Sequence, residues 1–136
     1  MRVLFTALFA AALSASCGAA TPRNMDAFRW QRRVILVAAP GADDPRLLAQ
    51  RRALADWRQG AEDRDVTVVE IVGAAVDGVR DPADALRGRY ALPPDRFSVV
   101  LVGKDGHVAV RSDEPMEGSV LSRTIDAMPM RRAGQR

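Results

Sequence analysis

The chain has 136 residues, of which 48% are apolar, 20 are basic and 17 are acidic. This composition is typical of a globular protein and excludes a disordered chain. Acids and bases are interleaved, and the net charge of +3 falls to +2 if Arg2 is removed with an export signal. The charge pattern therefore predicts a mixed, solvated surface and no nucleic-acid partner.

Residues 1–20 are typical of an export signal. A positive charge at Arg2 precedes an apolar run and then small residues up to Ala20, so we expect cleavage before Thr21. The run is too short to span a membrane. A second route stays open, in which the only cysteine, Cys17, carries a lipid anchor. Both routes predict a periplasmic or secreted chain, attached to a membrane only through lipid at Cys17.

The 116 residues that remain without the signal are enough for one compact domain and too few for two. We assign residues 21–32 to a basic N-terminal segment, residues 33–130 to the domain and residues 131–136 to a basic C-terminal tail.

Four runs in the domain predict strands, at residues 34–39, 66–72, 97–102 and 107–111. The first and third runs are almost continuously apolar, as expected for neighbouring strands that are buried on both faces. The fourth alternates polar and apolar residues and fits a sheet edge. Between the third and fourth runs, the Asp-Gly pair of the sequence GKDG predicts a tight antiparallel hairpin.

Three helices are predicted between and after these strands. Asp44 and Asp81 each precede a proline, which is a helix start signal, and a last helix is predicted over residues 117–127. The order is then β-α-β-α-β-β-α. Two crossovers predict that the first half of the sheet is parallel, and the hairpin predicts that the second half is antiparallel. Right-handed connections predict the sheet order second, first, third, fourth. The fold class is α/β, a single thioredoxin-like domain with a four-stranded mixed sheet.

Two motifs resemble a known bacterial family. The hairpin GKDG and the ending IDAMPMR at residues 125–131, with Phe28-Arg29-Trp30 before the first strand, are similar to the thioredoxin-like family DUF4174, a domain of unknown function. A similar peroxiredoxin-like domain occurs in secreted sushi-repeat proteins of animals. The resemblance implies an exported domain whose biochemical role is unknown.

Thioredoxins carry their redox cysteines just after the first strand, where this chain reads PGADDP at residues 40–45. Without a thiol we expect neither disulfide exchange nor peroxidase activity. Asp44 is expected to cap the following helix, and an acid–base role for Asp43 and Asp44 needs convergence with another group. With His107 as the sole histidine, we expect no metal site, and nothing in the sequence calls for a cofactor.

Candidate binding residues fall in the hairpin region and in the two basic ends. They are Lys104, Asp105, Arg111, Arg29, Trp30, Arg131 and Arg132. The hairpin cations can bind an anion, and the two ends can form one basic surface. The simpler interpretation is a solvated turn, solvated tails and Phe28 and Trp30 packed on the sheet edge.

The leading hypothesis is a binding module without redox chemistry, whose partner is an envelope protein or an anionic polymer. The alternative is a non-thiol enzyme or a small-anion-binding protein, which needs Lys104 to lie near Asp43 and Asp44. A third possibility is an accessory domain of an envelope complex. The sequence leaves the oligomeric state open.

Overall fold

The computed structural model describes residues 23–134, so the predicted signal, Cys17 and Arg136 lie outside the described residues. A 3-10 turn at Met25–Phe28 precedes the sheet. The strands and helices are β1 (Arg33–Ala39), α1 (Pro45–Asp56), α2 (Arg58–Glu62), β2 (Val66–Val72), β3 (Ala75–Asp77), α3 (Ala83–Tyr90), β4 (Ser98–Val102), β5 (Val108–Ser112), α4 (Gly118–Asp126) and α5 (Pro129–Arg132).

The sheet has the order β3-β2-β1-β4-β5. β2 is parallel to β1, whereas β4 is antiparallel to β1, and β3 and β5 form antiparallel edges. The predicted thioredoxin-like α/β fold is confirmed, with the second, first, third and fourth predicted strands in the expected order.

One detail of the prediction is wrong. The described sheet has five strands instead of four, because the three-residue strand β3 is too short to show an alternating pattern. Gly73, with φ +58°, turns the chain into β3, which runs back along β2, so that the following helix α3 brings the chain to the opposite end of the sheet.

β1 separates two apolar cores and is buried along all seven residues. Val34, Leu36 and Ala38 face the core beneath α3, while alternate side chains such as Ile35 and Val37 face the core beneath α1 and α4. This is why the run is continuously apolar: each face of the strand is covered by helices. The fold therefore leaves the two ends of the sheet as the places for a site.

Candidate functional site

The first end of the sheet, which we call the redox end, is where β1 leads into residues 40–45. Asp44 caps α1 there, because its Oδ1 accepts hydrogen bonds from the backbone N–H groups of Arg46 at 2.8 Å and Leu47 at 3.4 Å. Pro45 follows at the first helical position, as the sequence predicts. The Asp44 carboxylate is thus engaged in helix capping.

Lys104 lies at the opposite end of the sheet, which we call the hairpin end. Because β4 is antiparallel to β1, Lys104 lies beside the residues that precede β1, and its carbonyl accepts a hydrogen bond from the Trp30 N–H at 2.6 Å. The length of β1, about 20 Å, separates it from Asp43 and Asp44. The alternative hypothesis that joins Lys104 to these carboxylates is wrong.

The Lys104 side chain is buried, with only 7% exposed, contrary to the expected solvated turn. Its Nζ lies 3.1 Å from Asp65 Oδ2. Asp65 directly precedes β2 and has φ +51°, an uncommon left-handed backbone for a residue other than glycine. The pairing depends on a turn distant in sequence, which is why local composition does not reveal it.

A groove of about 230 Å³ lies between the hairpin and the start of α5. Residues 103–105 and 107–109 line it from the hairpin, residues 128–130 line it from the C-terminal side, and Arg33 completes the lining. The groove therefore unites the two motifs, GKDG and MPMR, on which the family resemblance depends, although about 20 residues separate them in the sequence.

Arg33 is a candidate site residue that the sequence did not indicate. It is buried, with 1% exposed; its Nη1 donates to the Arg64 carbonyl at 2.7 Å, while its Nε has no hydrogen-bond partner among residues 23–134. Burial and the neighbouring Arg131 lower the pKa of the Arg33 guanidinium, although Asp65 and Asp126 act in the opposite direction. The sequence pattern that could have identified Arg33 is an arginine at the first position of a strand that is buried on both faces.

Trp30 is 61% exposed, so the expected packing of this side chain on the sheet edge is wrong, whereas Phe28 is buried as expected. The Arg29 Nε donates to the Asp105 carbonyl at 3.1 Å, which ties this segment to the hairpin. Val108, which lines the groove, is 42% exposed. We refer to the groove together with Trp30 as the hairpin surface.

The remaining predicted site residues are distributed unevenly. Arg131 lies at the hairpin end, where it donates to the Asp63 carbonyl and approaches Asp126, and Arg132 is exposed next to it. Arg111 instead donates to the carbonyls of Tyr90 and Ala91, which end α3. Its role is to satisfy a helix terminus, so it does not join the hairpin surface.

In the part of the chain that the structure describes, no three histidine, cysteine or acidic side chains are grouped so that they could hold a metal ion. The same residues include no helix that is long and apolar enough to cross a membrane.

Comparisons with known proteins give a family and a fold. The sequence pattern of the family described as "Domain of unknown function (DUF4174)" matches residues 24–134. Two relatives are "Coiled-coil domain-containing protein 80" of Danio rerio, with 28% identity over 82% of this chain and 16% of the relative, and "Sushi repeat-containing protein SRPX" of Rattus norvegicus, with 32% identity over 90% and 28%. The chain thus spans less than a third of each relative.

A solved structure with a similar fold is the pneumococcal exposed lipoprotein thioredoxin Etrx1 of Streptococcus pneumoniae. It has a TM-score of 0.52 and 15% identity, and the alignment covers 71% of this chain and 85% of Etrx1. At this identity the likeness concerns the fold.

Proposed function

The chain belongs to the DUF4174 family, whose function is unknown, and we propose that it is an exported, non-redox module that binds an envelope protein through the hairpin surface. Export is supported by the signal pattern of residues 1–20. The lack of redox chemistry is supported by the sequence after Cys17, which contains no further cysteine.

Trp30 is the observation that carries this proposal. Its backbone has φ +63°, a conformation that costs a bulky residue roughly 1–2 kcal/mol, and its ring is exposed to solvent. Strained residues with exposed aromatic rings are a feature of binding sites, and tryptophan beside arginine is a frequent interface anchor. Arg29 precedes Trp30 and is bonded to the hairpin, so this pair supports a protein interface at the hairpin surface.

The test is photo-crosslinking from position 108. Lys104 is the only lysine and is buried, so amine-reactive crosslinkers are unsuited to this surface. A photoreactive phenylalanine analogue at the half-exposed Val108 reports on the groove, and the same analogue at Leu48, 42% exposed on α1, is the matched control. We expect one envelope protein to be captured from position 108 and not from position 48.

The variant Trp30→Gly then tests the surface itself. Glycine adopts a positive φ without a Cβ clash, so we expect the free energy of unfolding to stay equal or to rise by up to about 1 kcal/mol. Capture from position 108 is nevertheless expected to be lost, whereas Leu48→Ala leaves it unchanged. Capture that survives Trp30→Gly, or that occurs equally from position 48, contradicts the proposal.

A further inference from the structure

Charged side chains are concentrated around the groove. Among residues 23–134, the cations Arg33, Arg64, Lys104 and Arg131 line it or interact with Arg33, as do the carboxylates of Asp65 and Asp126, and Asp63 acts on Arg64. Asp105 also lines the groove, but its Oδ1 accepts a hydrogen bond from the His107 N–H at 3.0 Å and its Oδ2 lies 3.5 Å from the His107 ring.

Arg33 is the cation without a matching carboxylate. Lys104 pairs with Asp65 at 3.1 Å, while Arg64 and Arg131 share Asp126 at 2.8 Å and 3.4 Å. Among residues 23–134, no carboxylate oxygen lies within 4.0 Å of the Arg33 guanidinium nitrogens, and the only acceptor is the Arg64 carbonyl. A buried charge without a counter-ion is unfavourable by several kcal/mol, so this site favours an added anion.

We infer that the groove binds one carboxylate of an extended polypeptide, held by Arg33 beside Lys104, an inference that rests on the proposed function. A hydrogen bond between a guanidinium and a carboxylate is charge-assisted and so about twice as strong as a neutral one. The peptide carboxylate supplies the counter-ion that the Arg33 guanidinium lacks among residues 23–134.

The groove fits an acidic side chain better than a phosphate group or a cofactor. A phosphate carries about −1.5 to −2 charges, more than the single charge of the Arg33 guanidinium. At about 230 Å³ the groove is smaller than typical small-molecule sites, which start near 300 Å³. Its walls include Met128, Met130 and Val108, and methionine adapts to varied apolar neighbours, which suits the residues that flank a glutamate.

The test is an NMR titration of the unmodified protein with two blocked five-residue peptides. One peptide has a glutamate between two valines, and the other has a glutamine in its place. We expect the glutamate peptide to bind at least about tenfold more tightly and to shift the amide signals of Gly103, His107 and Val108. Equal binding of the two peptides overturns the inference, and so does tighter binding of inorganic phosphate than of the glutamate peptide.

Variants then locate the carboxylate. Arg33→Met removes the charge and keeps the apolar stem, so it is expected to abolish the preference for glutamate; Arg46→Gln, which removes an exposed cation of α1, leaves the preference unchanged. If Arg33→Met does not fold, Arg33→Lys is the second variant and is expected to weaken the preference. A full preference for glutamate in a folded Arg33 variant contradicts the assignment.

The outcomes also separate this inference from the proposed function. If capture depends on Trp30 but the two peptides bind equally, the proposed binding role of the hairpin surface stands and the carboxylate site is contradicted. If the preference for glutamate depends on Arg33 but no partner is captured, the proposed function is contradicted and the carboxylate site stands.

Discussion

The redox end and the hairpin end of the sheet differ in how far their charged side chains are exposed to solvent. At the redox end, Asp44 caps a helix and Arg46 pairs with Glu114 in solvent, with 53% and 68% of the two side chains exposed. At the hairpin end, Lys104 and Arg33 are buried beneath a groove. The comparison teaches that a thioredoxin-like fold can lack cysteines at its usual redox position and still bury charge at the other end.

Exposed and buried ion pairs also differ in what they contribute to the free energy of unfolding. An exposed ion pair contributes little to stability, because solvent screens it and the side chains lose entropy. A buried pair such as Lys104–Asp65 has to overcome the desolvation of both groups, so burial of this kind is weak evidence for a purely stabilising role. Burial of the cations at the hairpin end therefore does not by itself indicate a stabilising role.

The largest effect that we predict in the comparison is the loss of Lys104. Lys104→Met removes the Nζ that lies 3.1 Å from Asp65 Oδ2, and because this ion pair is largely buried we expect the free energy of unfolding to fall by about 2–3 kcal/mol. Arg46→Gln breaks the exposed pair at the redox end and is expected to give no measurable change. Urea unfolding of both variants checks the difference, and equal shifts in midpoint contradict it.

The next effect concerns the redox end. Asp44→Ala removes an acceptor for two backbone N–H groups and is expected to lower the free energy of unfolding by about 1 kcal/mol. Asp44→Asn keeps a capping oxygen and is expected to recover most of that loss. Failure of asparagine to recover stability means that the negative charge of Asp44, and not its capping geometry, matters at this end.

Much of the fold is predictable from sequence because the central strands carry local signals. The run at residues 34–39 is continuously apolar, and the Asp-Gly pair at residues 105–106 specifies a hairpin. β3 escapes prediction because three residues carry no periodicity.

The candidate site is less predictable because its parts come from distant segments. A lysine in a Gly-rich turn is usually solvated. Lys104 is instead buried beside Asp65, a residue that is distant in the sequence. Arg33 adjoins an apolar run, and nothing local distinguishes it from the solvated arginines before it. The resemblance identified both groove-lining motifs, but their contact follows only from the packing of α5 against the hairpin end.

The smallest effect that we predict is the pH dependence contributed by Asp126. The Arg64 guanidinium, which donates to both carboxylate oxygens, lowers the pKa of Asp126 from its ordinary value of 3.8, and Arg131 adds to this shift. Because the pKa is lower in the folded state, the stabilisation is complete above the unfolded value and is lost as the pH falls through the folded value.

Asp126 is 45% exposed, so solvent screening limits the contribution to a few tenths of a kcal/mol. Urea unfolding between about pH 6 and pH 2 is expected to show a slightly shallower acid loss in Asp126→Asn than in the unmodified protein. Asp56→Asn, which removes an exposed carboxyl at the end of α1, is the control and should keep the original slope. An unchanged slope in Asp126→Asn contradicts the prediction, because it means that Arg64 and Arg131 do not lower the pKa of the Asp126 carboxyl in the folded protein.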